Sequence, residues 1–114
     1  MTISQQDLNQ FTGTQTYYYV FGKKITDGIR YLMDNGAGWL VTDILAYQVE
    51  KDIQKISFQV WELHVFLDKT AILTMAEDTN RPLIIKQKYS YTDFPLPYIK
   101  LYFIDGVLLL PSEY

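Results

Sequence analysis

Ile56-Ser57-Phe58-Gln59-Val60-Trp61-Glu62-Leu63-His64-Val65-Phe66-Leu67 is where the apolar period of this chain changes to two. Ile56, Phe58 and Val60 fall on one face of an extended chain, and Trp61, Leu63 and Val65 fall on the other. The stretch therefore reads as one long strand with a register change, a β-bulge, near Val60-Trp61. Beyond it, Asp68-Lys69 turns the chain into a second strand over 70–75, and Asp78-Thr79-Asn80-Arg81-Pro82 turns it into a third over 83–88. After the irregular Phe94-Pro95-Leu96-Pro97, strands over 99–104 and 107–110 flank Asp105-Gly106, a two-residue hairpin signal.

Upstream of residue 56 the pattern is helical. Ser4 reads as an N-cap with Asp7 in the first turn, and Ile3 and Leu8 are placed to close a hydrophobic staple. Thr12-Gly13-Thr14 ends that helix, and Tyr17 to Phe21 reads as a short strand or an extended arm. A second helix starts at Thr26, with Ile25, Ile29, Leu32 and Met33 on one stripe, and Asn35-Gly36 stops it. A third runs over 37–50, with Leu40/Val41, Ile44/Leu45 and Gln48/Val49 inward and Thr42, Asp43 and Glu50 towards water. Helices first and a meander afterwards make an α+β chain. Its expected architecture is an N-terminal helical layer packed on one antiparallel sheet of about five strands, two layers and a single domain over 1–114.

Composition limits the chemistry. The 114 residues include ten tyrosines, two tryptophans and six phenylalanines, one histidine and no cysteine. Thiolate catalysis and Cys/His metal cages are excluded, because their side chains are missing. Asp27, Asp34, Asp43, Asp93 and His64 match no metal-ligand spacing, so neither a metal nor a cofactor is expected. So many aromatics exceed what one small core holds, which predicts self-association as a homodimer. Net charge −3 and pI of about 4.9 make nucleic acid an unfavoured partner. The longest apolar run, Val107 to Leu110, is too short to span a membrane, and no basic and apolar leader follows Met1. These features predict a cytoplasmic protein with no membrane partner.

His64, with Glu62 two residues away on the same strand face, is the one pair that could activate water. No nucleophile elbow or phosphate loop accompanies it, so a polar strand face is the preferred reading and an enzyme is disfavoured. Lys86, Lys88 and Lys100 interleave with Tyr89, Tyr91, Tyr98 and Tyr102, a mixture suited to single-stranded nucleic acid or equally to a guarded sheet edge. The most unusual stretch is Tyr89-Ser90-Tyr91-Thr92-Asp93-Phe94-Pro95-Leu96-Pro97-Tyr98, a proline-restrained loop carrying four aromatics. Tyr89, Tyr91, Thr92, Asp93, Phe94 and Tyr98 are its candidate binding residues; the alternative is a plug that closes the core. The leading functional reading is a non-enzymatic binding or protein-interaction module, accessory or regulatory in role. The alternatives are a small enzyme or ligand-binding protein using His64 and Glu62 beside an aromatic pocket, and then a single-stranded nucleic-acid binder.

Several phrases together resemble an uncharacterised family of small bacterial proteins, a domain of unknown function. They are Phe11-Thr12-Gly13-Thr14, Thr26-Asp27-Gly28-Ile29-Arg30-Tyr31-Leu32, Trp39-Leu40 with Asp43-Ile44, Gln59-Val60-Trp61, Tyr91-Thr92-Asp93-Phe94-Pro95-Leu96 and Leu109-Leu110-Pro111-Ser112-Glu113-Tyr114. The resemblance spans nearly the whole chain. It implies a bacterial, cytoplasmic, single-domain protein, often associated with mobile elements. It carries over no activity, cofactor or site residue.

Overall fold

A computed structural model describes residues 3–78 and 81–114; Thr79 and Asn80 of the expected 78–82 turn lie outside the described residues. Among the described residues the chain folds as four short α-helices on one sheet of seven strands. The helices are α1 (Gln5–Leu8), α2 (Asp27–Leu32), α3 (Gly38–Ala46) and α4 (Lys51–Gln54). The strands are β1 (Tyr18–Val20), β2 (Lys23–Ile25), β3 (Phe58–Val65), β4 (Ala71–Ala76), β5 (Ile85–Tyr89), β6 (Tyr98–Ile104) and β7 (Val107–Leu109). Their spatial order is β1-β2-β7-β6-β3-β4-β5.

This is α+β, but not a five-stranded meander beneath N-terminal helices. Two strands, β1 and β2, come between α1 and α2. β6 pairs with β3 rather than with β5, and β2 joins β7 in parallel, so the sheet is mixed. Of the β1–β2 hairpin, Tyr17 to Phe21 was legible as a short strand or an arm, but β2 was not, because the turn between them is Phe21-Gly22. Both residues lie at positive φ, 50° and 76°, as in the Asp105-Gly106 turn of β6–β7 at 49° and 86°. A primed hairpin turn requires that geometry at both central residues. Phenylalanine is not a residue that advertises it.

The expected bulge in β3 is absent. Pairing runs unbroken from Phe58 to His64 with β6 and from Val60 to Val65 with β4. Strict alternation places Gln59 with Trp61, Leu63 and Val65 on the helix-covered face. Gln59 is 0% exposed there, yet none of its polar groups is stranded. Its amide donates to Gln48 Oε1 (2.9 Å) and to the Ile53 carbonyl (3.0 Å), while its oxygen accepts from Gln48 Nε2 (2.8 Å) and Trp61 Nε1 (2.9 Å). A polar residue at a core position imitated a change of register.

The third helix also differs from its expected span. It ends at Ala46 and passes through a 3-10 turn, Tyr47–Val49, into α4. Leu40, Val41, Ile44, Leu45 and Gln48 are buried as expected, whereas Val49 is 81% exposed because the chain has left the α-helical period by then. The first two helix starts behave as read. Ser4 Oγ accepts the Asp7 N–H (3.1 Å), Thr26 Oγ1 accepts the Ile29 N–H, and Ile3 and Leu8 are both buried. Gly36, at φ 101°, forms the kink between α2 and α3.

The chain terminus locks the α2 entrance. The Glu113 carboxylate accepts the Gly28 N–H (3.0 Å), the Thr26 hydroxyl (2.6 Å) and the Leu110 N–H (2.9 Å). A Cβ on Gly28 would come within 2.5 Å of Leu110 Cδ1 and 2.6 Å of Glu113 Oε1, so any side chain there would displace Leu110 and push the Glu113 carboxylate from its bonds. Two phrases that carried the family resemblance, at 26–32 and at 109–114, thus meet in space through Thr26, Gly28 and Glu113.

Candidate recognition surfaces on the two faces of the sheet

Side chains that pair directly across strands share a face, so the register separates two surfaces. On the covered side, hydroxyl bonds tie α3 and the 3-10 turn after it to β5. Tyr89 donates to Asp43 Oδ2 (2.6 Å) and Tyr47 donates to Gln87 Oε1 (2.6 Å). Trp39 meets Tyr89 edge to face at 5.2 Å between ring centres. Burial, then the Asp43 carboxylate, hold the Tyr89 phenol far above its ordinary range, so it stays a neutral donor.

Two hollows open along this seam and share Asp43. One, about 380 Å³, is lined by Trp39, Asp43, Tyr89, Tyr91, Thr92 and Asp93. Its neighbour, about 250 Å³, is lined by Asp43, Tyr47, Glu50, Gln87 and Ala46. Their walls carry aromatic rings and the carboxylates of Asp43, Glu50 and Asp93, with no lysine or arginine among those lining residues. Such a groove suits a cation with an apolar stem, whose charge meets carboxylate and whose methylenes meet rings.

The loop candidates divide between places. Tyr89, Tyr91, Thr92 and Asp93 line the larger hollow. Tyr91 is 69% exposed, while Thr92 is buried and receives the Phe94 N–H on Oγ1 (3.1 Å). Thr92 also gives its own N–H to the Lys69 carbonyl (2.8 Å), which ties the loop to the β3–β4 turn. Phe94 is 1% exposed and belongs to the core. Tyr98 lies at the start of β6, on the opposite face of the sheet. Trp39, Asp43, Tyr47 and Glu50 complete the groove from α3 and the turn after it. Asp43 and Glu50 were read as facing water, and Trp39 and Tyr47 were not singled out as site residues, because nothing local marks which strand a helix will cover.

On the other face of the sheet Val60, Ala76 and Leu109 are buried outside the helix-covered core cluster, and the rest of the face is polar or partly exposed. Its rows run Lys100–Glu62–Thr74–Lys86 and Tyr98–His64–Ile72–Lys88. His64 is exposed and its ring lies 4.9 Å from that of Tyr98. Glu62 accepts the Tyr98 hydroxyl rather than serving His64. Partial burial, followed by that carboxylate, keeps the Tyr98 phenol well above its usual range. Farther along, Phe58, Tyr102 and Tyr114 pack together at 5.1–5.8 Å.

Of the carboxylates weighed as metal ligands, Asp43 and Asp93 line the same hollow, while Asp27 and Asp34 are engaged elsewhere. Asp27 accepts the Gln15 N–H (3.0 Å), a bond that holds its carboxyl below the ordinary value, and Asp34 pairs with Arg30 at 3.1 Å. Among the described residues no three metal-ligating side chains converge, and no helix is long and apolar enough to cross a membrane. No match emerges from comparison with curated proteins or with solved structures. A family model matches residues 2–114, and the chain belongs to that family, described as a family of unknown function, DUF6876.

Proposed function

We propose that this protein is a non-enzymatic interaction module that recognises a cationic segment of a partner protein in the groove between α3 and β5. One observation carries the reading: three carboxylates and the rings of Trp39, Tyr47, Tyr89 and Tyr91 line two adjoining hollows with no lining base to neutralise them. The chain's negative balance, −3, favours the same partner sign. Catalysis is the weaker reading. The carboxylate that would orient His64 is engaged by Tyr98, and a phenol held protonated is a poor base.

The test is a titration with labelled peptides of about seven residues, lysine-rich or glutamate-rich, followed by fluorescence anisotropy. The lysine-rich peptide is expected to bind, and Tyr91→Ala with Asp93→Asn to weaken it about tenfold while the melting temperature holds. Both substituted side chains are exposed, so the fold survives the change. Equal binding of both peptides, or of neither, removes the proposal.

A second reading rests on the bare face. There Lys86, Lys88 and Lys100 share a surface with Tyr98 and His64, and Glu62 is the acidic member of those rows. Net charge averages over faces, so an acidic chain can still present a basic one. A single-stranded oligonucleotide binding in place of the lysine-rich peptide, with loss on Lys86→Glu/Lys88→Glu, would establish this surface instead.

A further inference from the structure

β5 is a sheet edge: among the described residues its strand neighbour is β4, with nothing beyond it. Alternate residues of an edge strand turn N–H and C=O groups outward, unbonded to the sheet. The groove runs beside this edge, and its two hollows are spaced as a strand is. Gln87 lines one and Tyr89, two residues on, lines the other. Two residues of extended chain advance about 7 Å, so alternate side chains of a strand added alongside β5 would meet the two hollows in turn.

From this we infer that the partner binds as an added β-strand. It is an extended segment paired with β5 that carries lysine or arginine at alternate positions, one cation for each hollow. The inference rests on the groove being the recognition surface and adds the backbone mode and the sequence period of the ligand. Main-chain bonds to the edge would supply affinity and the alternating pockets would supply specificity, as in β-augmentation generally.

Charge also decides against a second copy as the occupant. Lys86 and Lys88 stand on the bare side of β5. Pairing β5 with itself would set lysines against lysines across the new ladder, which is destabilising. An incoming strand with cations towards the groove leaves its other face free for acidic or neutral residues, which meet those lysines favourably. Both faces of β5 therefore select the same alternating pattern.

The experiment uses the full chain and a synthetic peptide of about seven residues with lysine at alternate positions and threonine or glutamate between. Two derivatives carry N-methyl groups, one on the lysine nitrogens and the other on the intervening ones. In an added strand only one of these sets faces β5, so one derivative is expected to lose at least about tenfold in affinity and the other to bind nearly as the parent. Amide hydrogen exchange of β5 should slow on saturation with the parent peptide. If both derivatives bind like the parent, or β5 exchange is unchanged, strand addition is overturned while recognition of a cationic segment stands. If the parent peptide does not bind at all, both readings fall. A peptide with its lysines made contiguous should bind less tightly; equal binding would overturn the alternating pattern.

Discussion

Gln59 shows how one buried amide can organise a core. Its side chain joins Gln48 on the helical layer to Trp61 on its own strand, and each partner would lose a bond in its absence. Gln59→Leu should therefore cost about 2–4 kcal/mol, the penalty for stranding buried polar atoms, measured by urea unfolding. The Gln48→Leu/Gln59→Leu double variant should cost less than the sum of the single changes, because the amides were each other's partners. Strict additivity would show that the network is not a unit. The same residue explains a misreading. Alternation read 56–67 as a strand, of which Phe58–Val65 forms one, but a glutamine on the apolar side looked like slippage until its partners were known.

Tyr89 gives a pH test at the same scale. Its phenol is raised by burial and then by Asp43, so the folded chain keeps a proton that an unfolded tyrosine releases near pH 10. The stabilisation is complete below that value and is lost as pH rises beyond it. Tyr89→Phe should flatten the alkaline decline of stability, read by denaturant midpoints. An unchanged slope would mean that the Tyr89–Asp43 bond is not formed in solution.

At the level of elements, the hairpin β1–β2 stores local strain. Phe21 holds φ 50° with its ring 71% exposed, so its left-handed backbone has little packing to offset it. Phe21→Asn should raise stability by about 1 kcal/mol, some 4 °C in melting temperature, since asparagine accepts this conformation. A fall instead would show that the ring packs where the structure leaves it open. Gly28 should behave in the opposite way. Gly28→Ala drives a Cβ into Leu110 and Glu113 and is expected to destabilise by about 1–3 kcal/mol. Start signals for α1 and α2 and the Asp105-Gly106 turn were legible because they are local chemistry. The end of α3 was not, because tertiary packing of the 3-10 turn decides where the helical period stops. The order of the strands was not legible either: placing β6 beside β3 and β2 beside β7 is a long-range choice that no turn residue records.

For the molecule as a whole, self-association stays an expectation drawn from the aromatic content, with Tyr17, Tyr19, Phe21 and Tyr91 as the exposed aromatics to test. Light scattering over a dilution series should show a dimer at high micromolar concentration; a strict monomer there would remove it. Four of the ten residues that line the candidate groove were legible in the sequence as binding candidates. The 89–98 stretch declared itself by prolines and aromatics, and it supplies Tyr89 at the end of β5 and Tyr91, Thr92 and Asp93 from the loop after it. The part contributed by α3 needed the fold, since Trp39 and Asp43 reach the same hollow only because they pack against Tyr89 of β5. Trp39 also offers the most direct reading of the central claim. It lines the groove, whereas Trp61, the other tryptophan, is fully buried. Titration with the alternating lysine peptide should change tryptophan emission saturably, and Trp39→Phe or Asp43→Asn/Asp93→Asn should abolish that change in a folded protein. Saturable peptide binding that leaves Trp39 emission untouched, or that survives loss of both carboxylates, would contradict recognition in this groove.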